Sequence, residues 1–237
     1  MGWTMSPLSQ CGSLSLDRAY AIQRQLTAMR IAEGERVVGW KLGYTSTAMR
    51  EQMGIAAPNF APLTDAMLLS DGADLGTRAI QPRVEPEIAV RLGRDLAGDV
   101  DVEGVQAAVD EVRACLEVVD SIFTDYVFSL EDNTADGSSA AFVVLGESLQ
   151  RTDRLDEVTV RLVGNGEPVA DATGAAAGGH PLAGVAWLAA QLAERGEVLE
   201  RGQLVITGGL TRAVPLMPGD SVSACFQERT TVSVRRS

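Results

Sequence analysis

We expect the fold to be built around the segment Arg83-Val84-Glu85-Pro86-Glu87-Ile88-Ala89-Val90-Arg91-Leu92. Apolar side chains occupy its even-numbered positions, and charged side chains occupy most of its odd-numbered ones. This period of two predicts a β-strand that turns one face toward a core. Pro86 has no backbone N–H to donate, so we expect an edge strand or a β-bulge at that residue.

Glu85 and Glu87 share the odd-numbered face of the predicted strand. Residues two apart along a strand lie roughly 6.6 Å from each other. Two carboxylates at that spacing can bind one hard divalent cation, because Mg²⁺ takes few protein carboxylates and keeps water or substrate oxygens as its other ligands. An ordinary solvated strand face fits the same two glutamates, and the segment alone leaves both interpretations open.

Length and charge limit the class of protein. The chain has 237 residues, a formal net charge of −12 and 46% hydrophobic residues. We expect one domain over residues 1–237, with an N-terminal arm and helix over about residues 1–35. The negative charge argues against nucleic acid and anionic membrane as partners, because both require clustered Lys and Arg. The sequence contains neither a transmembrane-length apolar run nor a signal-peptide pattern, so we expect a cytoplasmic protein.

Rare residue types limit the chemistry. Cys11, Cys115 and Cys225 are far apart in the sequence, which favours a reduced compartment over a zinc ribbon. The single histidine, His180, excludes a site built from several histidines. Lys41 is the only lysine among nineteen arginines. One interpretation is that the protein needs an amine at this position, because burial can lower the pKa of Lys whereas Arg stays protonated. The other is that codon bias left a single lysine by accident.

The remaining periodicity predicts an α+β protein with many strands and few helices. One predicted helix is capped by Ser15 and ended by Gly34, and a second is capped by Asp101. A strand over Leu116–Asp120 follows and carries Glu117, a third candidate metal ligand. No βαβ rhythm or Gly-x-Gly-x-x-Gly motif occurs, so no dinucleotide cofactor is expected. The apolar positions that predict the helices are Ala19, Ile22, Leu26 and Met29 in the first and Val102, Val105, Val109, Val112 and Leu116 in the second.

A polar, irregular segment over residues 122–139 is too long to be idle in a compact domain. We expect Asp132 and Asp136 to organise it through Asx-type hydrogen bonds, with Asp136 turned toward a site. Farther along, His180 precedes Pro181 at a predicted helix start. That position favours a structural cap or a residue of a pocket wall for His180, with a role as a catalytic base as the alternative.

Several motifs occur in one order along the chain, and together they resemble the hydratase and decarboxylase branch of the fumarylacetoacetate hydrolase superfamily. The resemblance covers nearly the whole chain from about Ser15 onward. The motifs are Gly39-Trp40-Lys41-Leu42-Gly43-Tyr44-Thr45-Ser46, Pro62-Leu63-Thr64-Asp65-Ala66-Met67, Gln81-Pro82-Arg83-Val84-Glu85-Pro86-Glu87-Ile88-Ala89, Leu116-Glu117-Val118-Val119-Asp120-Ser121, Ala135-Asp136-Gly137-Ser138-Ser139, Gly179-His180-Pro181-Leu182, Val185-Ala186-Trp187-Leu188-Ala189, Ile206-Thr207-Gly208 and Pro218-Gly219-Asp220.

The resemblance implies a mixed β-sandwich roll with flanking helices and a site for Mg²⁺ or Mn²⁺. Glu85 and Glu87 match the family's paired metal glutamates, and Glu117 matches the third. Lys41 matches the active-site lysine, and Asp65 matches an acidic residue near the substrate, so both are candidates for proton transfer. The candidates for substrate binding are Ser139, which matches a serine of the substrate pocket, together with Asp136 and Thr207.

The implied activity is that of a divalent-metal-dependent lyase acting on a small unsaturated 2-oxo or 2-hydroxydienoic acid. Hydration of 2-hydroxypenta-2,4-dienoate to 4-hydroxy-2-oxopentanoate is the first expectation, and decarboxylation of 4-oxalocrotonate is the alternative. A basic group for a second carboxylate would favour the decarboxylase, and Arg50, Arg83 and Arg212 are candidates. The resemblance also implies a homo-oligomer, alone or in complex with a pathway partner.

Gly137 departs from the family pattern, which usually has Asn at this position of the long loop. The departure leaves the substrate open. It also keeps two further alternatives, a repurposed biosynthetic enzyme and a non-catalytic partner subunit of the same fold. An intact set of three glutamates with Lys41 argues against a simple loss of function.

Overall fold

The computed structural model describes residues 3–46, 50–51, 55–150 and 153–237. Two β-sheets and a few helices make up this part of the chain. The strands are β1 (Val37–Gly43), β2 (Asn59–Thr64), β3 (Leu68–Ser70), β4 (Ala73–Asp74), β5 (Arg83–Leu92), β6 (Val109–Val119), β7 (Ala140–Ser148), β8 (Thr159–Gly164), β9 (Glu167–Thr173), β10 (Leu204–Ile206), β11 (Val214–Pro215), β12 (Ser221–Phe226) and β13 (Thr230–Arg235). The α-helices are α1 (Leu16–Ala32), α2 (Val102–Gln106), α3 (Leu130–Ala135) and α4 (Pro181–Ala193).

Both sheets are mixed. The larger has the order β2-β1-β10-β5-β6-β7-β3, with β11 also pairing with β5, and the smaller has the order β4-β13-β12-β8-β9. The pairs β1–β10, β3–β7 and β4–β13 are parallel, and the other pairs are antiparallel. This arrangement confirms the predicted α+β class, because the strands do not alternate with crossover helices.

The larger sheet buries both of its faces. Its even-numbered side chains on β5 and β6, such as Ile88 and Leu116, belong to the main core, which also includes Val232 of the smaller sheet. The two sheets approach so closely that a Cβ added at Gly146 would lie 2.9 Å from the Val232 Cβ. The opposite face holds a second buried cluster, composed of Leu63, Met67, Ala89, Cys115, Val143, Leu204 and Ile206.

The second cluster shows that the larger sheet is curled. Leu63 lies on β2 at one end of the sheet, and Val143 lies on β7 near the other end. They share one cluster with Ala89 of the central strand, so the sheet bends around its odd-numbered face. This curl, together with the packing of the smaller sheet on the even-numbered face, is the sandwich roll that the family resemblance implies.

Strand β5 has the bounds expected from its alternation, but it is not an edge strand. It lies between β6 on one side and β10 and β11 on the other. β10 pairs with Ala89, Val90 and Arg91, and β11 pairs with Arg83 and Val84, so Pro86 falls between the two partners. In antiparallel pairing the N–H and C=O of one residue face the same neighbour. The Pro86 carbonyl accepts from Leu210 N at 2.9 Å, so its missing N–H faces the interval between β10 and β11.

Helix α1 begins where it is predicted to begin, but it buries a different face. Ser15 caps it by accepting from Arg18 N. The buried face includes Tyr20 and Gln23, whereas Leu26 and Met29 are 43% and 61% exposed. The polar Gln23 can be buried because its Nε2 donates to two backbone carbonyls, at 3.0 and 2.8 Å.

The second predicted helix is much shorter than its apolar pattern suggests. Asp101 caps α2 as expected, but the helix ends at Gln106 and β6 begins at Val109. Valines at 109, 112, 118 and 119 are β-branched and pair along β5, which favours strand over helix in this context. No α-helix in the described ranges is long and apolar enough to cross a membrane.

Residues 122–139 are more regular than predicted and are joined to the N-terminal arm. They contain α3, whose start is a capping box between Ser129 and Asp132. Asp132 also accepts from the backbone N–H and hydroxyl of Ser9, at 2.9 and 2.6 Å. Met5 N donates to Ile122 O at 2.8 Å. The arm therefore lies against this loop, and Asp132 organises both segments.

Candidate active site

Three glutamates of the larger sheet converge inside the curl. Glu85 on β5 lies directly opposite Glu117 on β6, while Glu87 is one residue pair farther along, opposite Cys115. Side chains opposite or diagonal across an antiparallel pair are close neighbours on one face. One carboxylate oxygen from each glutamate lies within 4.8 Å of those from the other two. The structure thus brings together the three residues that the sequence predicts as metal ligands.

Their environment is costly for carboxylates without a cation. Glu87 and Glu117 are 0% and 1% exposed. Glu87 Oε1 and Glu117 Oε2 are buried and accept no hydrogen bond from the described residues. Burial and then the charge of Glu117 raise the pKa of Glu85 to about 8, and the same causes raise the pKa of Glu87 well above its ordinary value. Unpartnered, buried, like-charged oxygens are a donor set that fits a hard divalent ion.

A glycine-rich turn supports the cluster from the side of β10. Gly208 N donates to Glu87 Oε2 at 2.7 Å, which orients that carboxylate. A Cβ added at Gly209 would lie 2.0 Å from Glu85 Oε2, so only glycine permits this approach of the chain to Glu85. The turn leaves the sheet in the interval between β10 and β11, where β5 has no strand partner on that side.

Lys41 extends into the same cluster from β1. Lys41 pairs with Ile206 of β10, which in turn pairs with Ala89 of β5, so its side chain lies on the face that carries the glutamates. Its Nζ is buried, donates to Ser138 O at 2.9 Å and lies 3.0 Å from Glu117 Oε1. Burial lowers the pKa of Lys41, but the charges of the three glutamates raise it by more, so the net direction is upward. Lys41 is therefore a cation that partly balances the acidic cluster.

A cavity of about 440 Å³ opens beside Lys41 and Glu85. Its size suits a small organic acid. One wall is polar and comes from the long loop, with Asn133, Ser138 and Ser139. Cationic and aromatic side chains form much of the remainder, namely Tyr44, Arg83, Tyr126, Phe128 and Arg212.

Two of the predicted substrate-binding residues lie at or directly behind this cavity. Ser139 lines it, accepts from Asn133 Nδ2 at 3.0 Å and donates to Asp136 Oδ2 at 3.4 Å. Asp136 lies behind Ser139 rather than among the lining residues. Burial raises the pKa of the Asp136 carboxyl to about 7, although the Ile122 N–H and the Ser139 hydroxyl oppose that shift.

The family departure at Gly137 falls outside the cavity lining. Gly137, Ser138 and Ser139 are three consecutive residues with left-handed backbone, at φ values of 74°, 57° and 54°. A Cβ added at Gly137 would meet no atom within 4 Å. Gly137 itself does not line the cavity, and the turn that presents Ser138 and Ser139 is formed with glycine at this position.

Asp65 and Thr207 do not reach the cavity. Asp65 follows β2 and bonds to Arg36, through the backbone N–H and the guanidinium, both at 3.0 Å. Arg36 precedes β1 by one residue and Lys41 is the fifth residue of that strand, so the two are separated by roughly 16 Å of extended chain. Thr207 is fully buried, and its Oγ1 donates to Ile88 O at 3.0 Å, which positions the turn after β10. We leave both residues out of the site.

His180 has the predicted structural role. It caps α4, since its Nδ1 accepts from Leu182 N at 3.1 Å. The side chain is absent from the cavity lining. A polar residue followed by Pro at a helix start was sufficient to predict this role.

Sequence reasoning did not assign a role to several cavity residues. Tyr44 directly follows β1, the strand that carries Lys41, and its place in the Gly39–Ser46 motif was the signal that could have identified it. Arg83 shares the odd-numbered face with Glu85 and was named only as a candidate for a second carboxylate. Tyr126 and Asn133 lie in the long loop, whose path into the cavity depends on left-handed residues that sequence spacing does not reveal.

Comparison with known proteins shows the family to which the chain belongs. The chain is 35% identical over 241 residues to a 2-hydroxyhexa-2,4-dienoate hydratase of Comamonas testosteroni, covering 98% of this chain and 90% of that protein. It is 38% identical over 224 residues to a 4-oxalocrotonate decarboxylase of Pseudomonas putida, covering 92% of this chain and 84% of that protein.

A solved structure agrees with these sequence matches. The fold is similar to that of a 4-oxalocrotonate decarboxylase from Pseudomonas putida G7 complexed with magnesium and adipate, with a TM-score of 0.94 and 34% identity, covering 99% of this chain and 91% of that one. The family model for the fumarylacetoacetate (FAA) hydrolase C-terminal region matches residues 36–235. Because that match spans most of the chain and the relatives extend over nearly all of it, the chain belongs to the fumarylacetoacetate hydrolase family.

Proposed function

We propose that the chain is a divalent-metal-dependent lyase that hydrates 2-hydroxypenta-2,4-dienoate to 4-hydroxy-2-oxopentanoate. The observation that carries this proposal is the buried cluster of Glu85, Glu87 and Glu117 beside a cavity of about 440 Å³. The hydratase from Comamonas testosteroni, which acts on a 2-hydroxydienoate, supports the assignment.

The three glutamates would hold Mg²⁺ or Mn²⁺, and Lys41 would bring the net charge of the loaded cluster to zero. When bound, the ion supplies Lewis acidity toward the carboxylate and 2-oxo oxygens of the substrate and stabilises negative charge on the 2-oxo oxygen. The magnesium in the related decarboxylase structure supports a divalent ion in this site.

The residues of the chain then bind, orient and exchange protons. Lys41 holds Glu117 and the Ser138 carbonyl in place and presents an ammonium group to the cavity. Ser139 and Asn133 form a hydrogen-bonded wall for the polar end of the substrate, and Asp136 orients the Ser139 hydroxyl from behind. In the overall reaction, the 2-hydroxyl proton is lost as C5 gains a proton, and water then adds its hydroxyl to C4 and a proton to C3.

A second candidate is decarboxylation of 4-oxalocrotonate, and Arg83 and Arg212 favour it. Both line the cavity, and neither forms an ion pair with a described residue. The Arg83 guanidinium lies 4.0 Å from the centre of the Tyr126 ring, which fixes its orientation. A guanidinium without an acidic partner is suited to a substrate carboxylate, and a dicarboxylate such as 4-oxalocrotonate has one to offer beyond the metal.

The test is to incubate the protein with 2-hydroxypenta-2,4-dienoate and with 4-oxalocrotonate, first with Mg²⁺ and then with EDTA, and to follow the products by NMR. Metal-dependent formation of 4-hydroxy-2-oxopentanoate from the dienoate is the expected result. Turnover of 4-oxalocrotonate alone would replace the hydratase by the decarboxylase. No turnover of either acid would refute both and favour a repurposed or non-catalytic member of the family.

We also propose that the protein is a homo-oligomer, on the family resemblance alone, and that it is cytoplasmic, as expected from the sequence. Sedimentation velocity at micromolar concentration checks the assembly, and a monomer would contradict it. A pathway partner is a further expectation, tested by co-purification with the enzyme that supplies the dienoate.

A further inference from the structure

Tyr44 presents a hydroxyl to the cavity that the reaction outlined above leaves unused. The residue follows β1 directly and lines the cavity, and its hydroxyl forms no hydrogen bond with a described residue. Tyrosine hydroxyls in enclosed positions usually have a partner. Tyr44 is partly buried, and its hydroxyl at the cavity has no such partner in the protein, so a bound ligand can supply one.

The backbone holds Tyr44 in this position at some cost. Its φ of 56° is left-handed, which is unfavourable for a residue with a large side chain. Gly43 precedes it, and a Cβ there would lie 2.2 Å from Asn59 Oδ1 of β2 and 2.7 Å from Ser138 Oγ, so the chain passes very close to β2 and to the loop wall. Arg50 Nη1 donates to the carbonyls of Tyr44 and Thr45, at 2.7 and 3.0 Å, and fixes the turn. Together, these contacts aim the ring into the cavity.

Tyr44 lies at the end of the cavity that holds the acidic cluster. Tyr44 and Glu85 line the same cavity of about 440 Å³. Thr45, the next residue, packs against the turn after β10, where a Cβ added at Gly208 would lie 2.1 Å from Thr45 Oγ1. The same Gly208 donates its backbone N–H to Glu87 Oε2 at 2.7 Å. A ligand oxygen bound beside the glutamates therefore shares this end of the cavity with Tyr44.

Two other hydroxyl groups of the lining already have partners within the protein. Tyr126 Oη donates toward Gln81 O and Val119 O, at 3.0 and 2.9 Å. Ser138 Oγ donates to the buried Asn59 Oδ1 at 2.9 Å. Tyr44 differs from these groups because its donor is not engaged by the protein.

We infer that the Tyr44 hydroxyl donates a hydrogen bond to the 2-oxo oxygen of the bound substrate. This inference rests on the proposed function, because it requires a 2-oxo acid in the cavity. The donor faces the atom on which negative charge develops, so the hydrogen bond strengthens as the reaction proceeds. Loss of the hydroxyl should therefore lower kcat more than it raises KM.

The experiment is a binding comparison on the magnesium-loaded protein, with 2-oxopentanoate and pentanoate as probes. The two acids differ only in the oxo group. Calorimetry is performed with the wild-type protein, with Tyr44→Phe and with Tyr20→Phe. Tyr20 stacks on Phe60 at α1, outside the cavity, and serves as the matched control for removing a phenolic hydroxyl.

The expected result is that Tyr44→Phe weakens 2-oxopentanoate about fivefold and leaves pentanoate unchanged, as the loss of one hydrogen bond to the oxo group requires. Tyr20→Phe should change neither affinity. An equal effect on both acids, or no effect on either, would overturn the inference while the proposed function stands. A wild-type protein that does not distinguish the two acids would overturn the inference and count against the proposed function as well.

Thermal unfolding and Mg²⁺ affinity of Tyr44→Phe check that the fold and the metal site are intact, and neither should change. If the dienoate is turned over, we expect kcat to fall about tenfold or more, with KM within about threefold of the wild type. A fall confined to KM would show that the hydroxyl contributes only to ground-state binding, and would overturn the role in charge stabilisation.

Discussion

Replacing Asp136 by Asn is expected to change how the stability of the protein depends on pH. Burial raises the pKa of the Asp136 carboxyl to about 7, from an ordinary value of 3.8. A raised pKa means that the folded protein binds the proton more tightly than the unfolded chain. This contribution to stability is complete below about pH 3.8 and is lost as the pH rises through 7. At about 1.4 kcal/mol for each pKa unit, the loss reaches roughly 4 kcal/mol by pH 8.

Asn does not titrate, so the Asp136→Asn variant should not show this loss. The assay is urea unfolding of both proteins at pH 4.5 and pH 8, in EDTA so that the metal ligands titrate alike in each. Relative to the wild type, the variant should gain about 3 kcal/mol in free energy of unfolding between pH 4.5 and pH 8. Taking the change between the two pH values removes any constant effect of Asn itself.

Asp132→Asn is the control, because its pKa shift has the opposite sign. Although burial raises the pKa of Asp132, hydrogen bonds from Ser9 and Ser129 lower it by more. Stability from a lowered pKa is present above the ordinary value and lost only in more acidic solution. This variant should be destabilised to a similar extent at both pH values. If Asp136→Asn also gave a constant difference, the reasoning that Asp136 is enclosed without a compensating charge would be refuted.

Three further predictions concern the charged residues of the site. Glu87→Gln should weaken Mg²⁺ binding about 100-fold or more, as measured by calorimetry. The control is Glu111→Gln, on the same sheet but paired with Arg91, which should leave Mg²⁺ binding unchanged. Equal losses in the two variants would contradict the three-glutamate site. Lys41→Met should lower the free energy of unfolding in EDTA by about 3–5 kcal/mol, because it breaks a buried ion pair. Saturating Mg²⁺ should recover part of this loss, and a loss that does not depend on Mg²⁺ would argue that Lys41 does not balance the charge of the glutamates. Arg83→Met should weaken adipate about tenfold in competition assays and leave hexanoate unchanged, whereas a parallel loss of both acids would rule out a second carboxylate site.

The cluster of Glu85, Glu87 and Glu117 was predictable because it depends on strand periodicity. Alternation alone puts Glu85 and Glu87 on one face, and the strand that carries Glu117 was recognised from its own apolar pattern. The bounds of β5 were also predictable, since the alternation extends over its whole length. Only the register between β5 and β6 was unknown, and the family resemblance supplied the expectation that the three residues meet.

The remaining features depend on contacts that a single sequence does not contain. The valines from residue 109 onward fit a helical pattern, but in the structure they form β6 and pair with β5. Pairing between distant segments therefore decided their secondary structure, against the helical spacing of the sequence. On α1, the exposed Leu26 and the buried Gln23 reverse the usual preference, because two carbonyl groups happened to lie within reach of the amide. The resemblance implies an acidic residue near the substrate at Asp65, whereas antiparallel pairing of β1 and β2 places Asp65 beside the start of β1, at the opposite end of that strand from Lys41.

Pro86 has a consequence for how the sheet and the site coexist. A residue with an N–H at this position would offer a donor to the segment between β10 and β11, and that segment could then pair with β5 and flatten against it. Proline lacks that donor, so at this residue only the carbonyl, which accepts from Leu210 N, bonds to the segment. Gly208 and Gly209 are left free to serve the carboxylates instead. Pro86 therefore lies at the gap in the strand pairing of β5 where Gly208 donates its backbone N–H to a glutamate of the cluster.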